Sequence, residues 1–236
     1  MNRLRVLQQT IISCQQCPRL VAYRQEVAST KVRRFREWDY WARPLPGFGD
    51  PHAQLLIVGL APAAHGGNRT GRVFTGDRSG DWLYGALNRF GFANHPESIS
   101  RGDGMRLKDC FITAAVKCAP PGNKPLPEEF RRCRPYLVQE LELLKHIRVV
   151  VALGKIALEG YLNACRELGR SIPKPRPAFG HGRIHELPWG VTLIASYHPS
   201  QQNTFTGKLT GPMFDAIFAT ARKLLTASQP VSLGGA

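Results

Sequence analysis

No apolar run in these 236 residues approaches the roughly 20 that a membrane-spanning helix needs; the longest, such as Leu55–Val58 and Val149–Leu153, stop far short. An export signal is missing too. Arg3 and Arg5 stand near the start, but the apolar stretch after them ends by Ser13 and Cys14, and no small-residue cleavage site follows. These absences give the expectation of a cytoplasmic protein with no membrane attachment. Acidic residues are scarce, 17 against 32 Lys and Arg, which leaves a net charge of +15. That excess is beyond what solubility requires and points to a polyanionic partner. There is no internal repeat, no G-x-G-x-x-G and no Walker A lysine, so nucleotide-triphosphate or dinucleotide chemistry has little support.

What is present suits a globular chain, since 43% hydrophobic residues can bury a sizeable core. Residues 2–24 show helical apolar spacing (Leu4, Leu7, Ile11, Ile12) interrupted by Cys14-x-x-Cys17, and a stretch rich in Arg, Trp, Pro and Gly runs on to residue 52. Residues 1–52 are therefore expected to form an N-terminal extension that packs on the main domain. From residue 53, β-branched runs alternate with helical patterns: strands over 53–60, 110–116 and RVVVALG, helices near 81–90, 127–147 and 155–168. The helix over 127–147 can break at Pro135. RIHELPWGVTLIASY reads as two strands around a Pro-Trp-Gly turn, a last helix spans 211–227, and the tail 228–236 is expected to be disordered. The fold class is α/β, a three-layer sandwich around a mostly parallel central sheet over residues 53–227. Its ligand site is expected beyond the carboxyl ends of the strands, where loops 59–80, 117–127 and 197–209 fall.

The first of these loops, GLAPAAHGGNRTGRVFTGDRSGDWL from Gly59 to Leu83, holds six glycines, which let backbone approach a ligand closely. Asp81 or Ser79 could cap the helix after it. Together with KCAPPGNKP at 117–125 and YHPSQQNTFTGKLT from Tyr197 to Thr210, this loop resembles the motifs of the family-5 type uracil-DNA glycosylases of bacteria and archaea. The resemblance covers nearly the whole chain.

Closely spaced cysteines in a cytoplasmic protein point to metal or redox chemistry rather than disulfides. Cys14, Cys17, Cys118 and Cys133 resemble the 4Fe-4S ligand pattern of the family-4 and family-5 glycosylases; the residues alone fit a four-cysteine zinc site as well. The extension would then carry two of the cluster ligands. Cys110 and Cys165 read as small buried hydrophobes.

The resemblance implies hydrolysis of the N-glycosidic bond of uracil in DNA, leaving an abasic site. Such an enzyme must take its target out of the stack, read its Watson–Crick edge, and stabilise a cationic sugar and an anionic leaving base. Phe74 is then expected to stack on the extruded base, Asn123 to offer donor and acceptor to an imide edge, and His198 to contact the base O2 as charge develops. Gly59, Ala61, Ala63 and His65 complete the expected base-binding set. Several relatives begin the motif Gly-Gln-Asp-Pro, Gly-Ile-Asn-Pro or Gly-Glu-Ala-Pro, with a polar residue near the attacking water; here Leu60 and Ala61 occupy those places. Asp77 is the nearest carboxylate within the motif and the nominee for placing water or stabilising the sugar, with His65 second and a turn-capping Asp77 the plain alternative. Ala63, where one related family carries a Tyr, implies a roomier pocket that also admits hypoxanthine or ethenocytosine.

DNA is the expected partner of a monomeric chain, with Ser200, Gln201, Asn203, Phe205 and Lys208 entering the duplex and KVRRFREWDYWAR at 31–43 adding a basic, aromatic surface. Two rival classes stay open: a non-catalytic iron-sulfur or zinc nucleic-acid-binding protein on the same fold, and a small-molecule enzyme of doubly wound topology.

Overall fold

A computed structural model describes residues 3–227 of the chain, so the tail expected to be disordered lies outside the described residues. Two helices open the chain, α1 (Arg3–Ile12) and α2 (Pro18–Thr30). Cys14 and Cys17 lie in the link between them, and Pro18 starts α2, where its missing N–H costs nothing. A two-residue strand, β1 (Phe48–Gly49), leads to β2 (Leu55–Gly59). Then come a single helical turn α3 (Gly67–Thr70), α4 (Arg78–Arg89), β3 (Cys110–Ala114), α5 (Pro127–Leu143), β4 (Val149–Leu153), α6 (Lys155–Glu167), β5 (Ile184–Glu186), β6 (Thr192–Ser196), α7 (Gln201–Phe205) and α8 (Gly211–Ala227).

The six strands form one sheet in the order β1-β3-β2-β4-β6-β5. The inner four are parallel, Ile57 pairing with Ile112 on one side and Val151 on the other, while β1 and β5 close the edges antiparallel. Alternate residues of each strand serve opposite faces. Leu55, Ile57, Ile112, Val149 and Ile194 meet Leu83 and Leu87 of α4 and Phe214 and Phe218 of α8. Leu56, Val58, Phe111, Val150 and Leu193 meet Leu137 and Leu141 of α5 and Leu158 and Leu162 of α6. Both faces are covered, which is why the strands read as continuous apolar runs. The architecture is the expected three-layer α/β sandwich.

Two local features differ from expectation. Helix α5 runs unbroken through Pro135, its buried side (Cys133, Tyr136, Leu137, Glu140, Leu141) holding it against the sheet despite one lost backbone bond. Residues 201–205, expected as loop, form α7, capped by Ser200, whose hydroxyl accepts the Asn203 N–H. The extension is also tied into the domain: it supplies the edge strand β1, and α1 packs on α5. No helix of the described residues is long and apolar enough to cross a membrane.

Candidate active site

From β2 the chain passes to β3 on one side, whereas from β4 it passes through α6 to β5 and then β6 on the other. This reversal opens a crevice beyond the carboxyl ends of the strands. There a cleft of about 500 Å³ is lined by Leu60, Ala61, Pro62 and Ala63 after β2, Ala114 at the end of β3, Asn123, His198 after β6, and Val73, Phe74, Asp77, Arg78 and Ser79. Ser200, Gln201 and Gln202, at the start of α7, complete its rim.

The glycine-rich loop forming one wall is riveted from inside. Asn68, Arg69, Thr70, Arg72 and Thr75 are all buried. Arg69 donates from Nε to the His65 carbonyl and from Nη2 to the Gly76 carbonyl, each at 2.8 Å. Arg72 donates to Thr75 and Ser98 hydroxyls and to Asp103, holding that carboxyl down to about 2 against the effect of its burial. Phe35 and Trp38 flank the Arg69 guanidinium, ring centroids 3.7 and 4.0 Å away, so part of the segment 31–43 braces this loop. None of these arginines was nominated from the sequence, because a buried arginine serving loop carbonyls leaves no spacing pattern.

Phe74 is held at φ +52°, a left-handed conformation that costs a side-chain-bearing residue about 1–3 kcal/mol and persists only where the surroundings impose it. Its ring lies on Gly59, where an added Cβ would stand 2.8 Å from it. Gly59 therefore serves the site by leaving room for the ring. The Phe74 and His198 rings are 5.8 Å apart at 31°, two half-buried walls of the cleft. Asn123 projects from a 3₁₀ turn (Pro121–Asn123) at φ +57°, which Asn tolerates.

Burial pushes His198 down to about 4, so its imidazole is neutral at physiological pH and donates through one N–H. Asn203 supports it from behind, donating from Nδ2 to the His198 carbonyl at 2.8 Å. His181 accepts the Tyr197 N–H and stacks on that ring at 5.0 Å, fixing the approach to His198. The unfolded chain binds a proton at this histidine near pH 6.5, whereas the folded one resists until about 4. Stability is therefore expected to fall as pH drops through that window, by about 2 kcal/mol after allowing for partial exposure. Urea midpoints of the wild type and His198→Asn between pH 7 and 4 check this: the variant loses that part of the slope, and parallel curves contradict it.

Asp77 takes the capping role foreseen as its plain alternative, its Oδ1 accepting the Gly80 N–H at 2.9 Å at the start of α4, and it also lines the cleft. Its other oxygen leans on Gly66, where a Cβ would stand 2.0 Å away. Burial raises its pKa, the neighbouring Asp81 adds to this, and hydrogen bonds from Gly80 and Ser79 oppose it. His65 stands outside the cleft lining, its Nδ1 bonded to the Tyr40 hydroxyl at 3.1 Å. Phe205 and Lys208 also lie outside the lining; Phe205 is 66% exposed with the Arg78 guanidinium 4.4 Å from its ring centre, and Lys208 sits over Tyr197. Arg78, adjacent to Asp77 in the motif, joins the cleft to α7 and was not foreseen.

The second constellation lies on the α1–α2 side. Cys14, Cys17, Cys118 and Cys133 line one cavity with Arg24, Lys117 and Tyr136. The Lys117 N–H donates to Cys133 Sγ at 3.2 Å and Arg24 Nη1 to Cys118 Sγ at 3.0 Å, the contacts that thiolates accept. Burial pushes the Cys17, Cys118 and Cys133 thiols up, a cost that metal ligation would reverse. Among the described residues, no group of three or more His, Cys, Asp or Glu side chains is arranged to hold a metal ion. Four thiols spread around one cavity fit a group with four attachment points. Cys110 and Cys165 are fully buried elsewhere in the core.

The family pattern described as the Uracil DNA glycosylase superfamily matches residues 46–222. The chain is 54% identical over 212 residues to the type-5 uracil-DNA glycosylase of Mycobacterium tuberculosis, covering 89% of this chain and 78% of that protein. With the type-5 enzyme of Thermus thermophilus the identity is 53% over 216 residues, 92% of this chain and 95% of the other. A type-4 uracil-DNA glycosylase of Pyrobaculum aerophilum is 32% identical over 198 residues, 84% of this chain and 83% of its own.

Proposed function

The chain belongs to the uracil DNA glycosylase superfamily, and we propose that its cleft hydrolyses the N-glycosidic bond of uracil in DNA, leaving an abasic site for base excision repair. In the reaction the C1′–N bond breaks with its electron pair passing to the base. A water oxygen bonds C1′ and gives up a proton, and the base leaves as an anion that is then protonated. The observation that carries this reading is the juxtaposition of Phe74, His198, Asn123 and Asp77 around one cleft at the sheet's carboxyl edge.

Each group has a task its chemistry suits. Phe74 offers a face for the extruded base, and the Asn123 amide offers acceptor and donor to the imide edge of uracil. Neutral His198 donates to O2 as negative charge grows there. Asp77, with no polar side chain at Leu60 or Ala61, places the water or stabilises the cationic sugar. The α7 rim, with Gln201, Gln202 and exposed Phe205, faces the duplex where the base has left, while Arg78 and the basic surface meet phosphates. The +15 charge supports a salt-sensitive hold on DNA.

The four cysteines, Cys14, Cys17, Cys118 and Cys133, would hold a 4Fe-4S cluster. Bound there, it would supply a covalent cross-link between the α1–α2 link, the loop after β3 and helix α5. Small Ala61 and Ala63 at the cleft wall support a substrate range wider than uracil, including hypoxanthine and ethenocytosine.

The test is a panel of single-lesion duplexes carrying uracil, hypoxanthine, ethenocytosine or thymine, with abasic sites revealed by alkali. The expected order places uracil first and the two larger lesions measurable; thymine, which differs from uracil by one methyl that an apolar pocket penalises by only about 1–3 kcal/mol, is expected to be released about 10–200-fold more slowly than uracil. Intact strands for all four after alkali would return the chain to a binding role without chemistry.

A further inference from the structure

Arg24 of α2 is 3% exposed, yet its guanidinium meets no carboxylate among the described residues. Nη1 donates to Cys118 Sγ at 3.0 Å, Nη2 donates to the Cys14 carbonyl at 3.3 Å, and Nε has no partner. A buried cation is costly without an anion beside it. The buried lysine of the same cavity, Lys117, has its own carboxylate in Glu140 at 2.7 Å, so it leaves Arg24 uncompensated. Among the described residues lining this cavity, the groups able to carry negative charge are the four cysteine sulfurs and the Tyr136 phenol, and thiolates around an iron-sulfur group would leave a net negative charge.

The backbone of the same residue points the other way. The Arg24 carbonyl accepts from Asn68 Nδ2 at 3.2 Å, and Asn68, 1% exposed in α3, donates its own N–H to the Ala63 carbonyl at 3.1 Å. Ala63 lines the base cleft. One residue thus touches a cysteine sulfur with its side chain and the wall of the cleft, through Asn68, with its backbone.

We propose that Arg24 is a positioning residue that balances the charge of the cysteine-held cluster and ties its presence to the order of the Ala63–Thr70 wall. The inference rests on the cluster reading above. The full chain, purified without oxygen, is compared with Arg24→Met, Arg24→Lys and Asn68→Ala for iron content, iron release to a chelator, Fe–S(Cys) stretching bands by resonance Raman, and amide exchange over residues 63–70. Arg24→Met is expected to release iron about 10–100-fold faster and to shift an Fe–S(Cys) band upward as the hydrogen bond is lost; Arg24→Lys recovers most of the retention. Asn68→Ala keeps the wild-type band and iron release but exchanges faster over 63–70, as does the wild type once stripped of iron. Wild-type iron release and bands in Arg24→Met would overturn the charge role, and unchanged exchange after stripping would overturn the link to the wall. Wild-type protein that binds a single zinc or no metal would instead overturn the cluster reading, and this inference with it.

Discussion

Replacing His198 with alanine is expected to slow uracil release by about 10²–10³-fold in kcat, the usual cost of losing one donor to a developing oxyanion. DNA affinity should change little, since the residue lies within the cleft and phosphate contacts carry most of the binding. The effect follows from the state of the ring. Burial holds His198 down to about 4, so it acts as a neutral N–H donor, and the rate should show no ionisation near pH 6.5 that His198→Ala removes. Asn at this position keeps a donor at shorter reach and should recover part of the rate. Single-turnover rates at saturating enzyme, from pH 5 to 8, make the comparison. A wild-type profile with a His198-dependent break near 6.5 would mean that the imidazolium, not the imidazole, serves the leaving base.

Asp77→Asn is expected to cut the rate by about a hundredfold or more while leaving the fold as stable as before, or more so. Asn caps a helix about as well as Asp, so the bond from the Gly80 N–H survives. What disappears is a carboxylate whose pKa is raised by burial, and deleting a charge that the fold pays to desolvate removes a cost. Because that carboxyl takes up its proton at higher pH than an exposed aspartate, the acid limb of wild-type activity should follow it and be absent from the residual activity of the variant. Paired melting temperatures and single-turnover rates separate the readings. A variant of wild-type rate would leave Asp77 only its cap, and the backbone dipoles of the loop would organise the water alone.

The parallel strands were legible because burial on both faces removes the usual alternation and leaves runs such as Leu55–Val58 and Val149–Leu153. Helix α4 was expected from residue 81, but the cap is Asp77, so the helix begins at Arg78, inside the glycine-rich motif. Strand β1 and helix α7, two and five residues long, are too short to carry a period. In the cleft, motif residues that touch its lumen, Phe74, Asp77, Asn123 and His198, could be nominated by chemical type and family resemblance. Arg69 and Arg72 could not, because the sequence does not tell a cation that meets phosphate from one that turns inward to bond loop carbonyls. His65 looked like a cleft residue from its place in the motif; the Tyr40 hydroxyl, supplied from a distant segment, accounts for its position outside.

The most direct measurement of the central claim is the amount of free uracil released per abasic site formed when excess protein acts once on a duplex carrying a single uracil. Equal amounts, with the strand unbroken until alkali is added, are the expected result of hydrolysis at C1′. Absence of free uracil, or strand breakage without alkali, would contradict it.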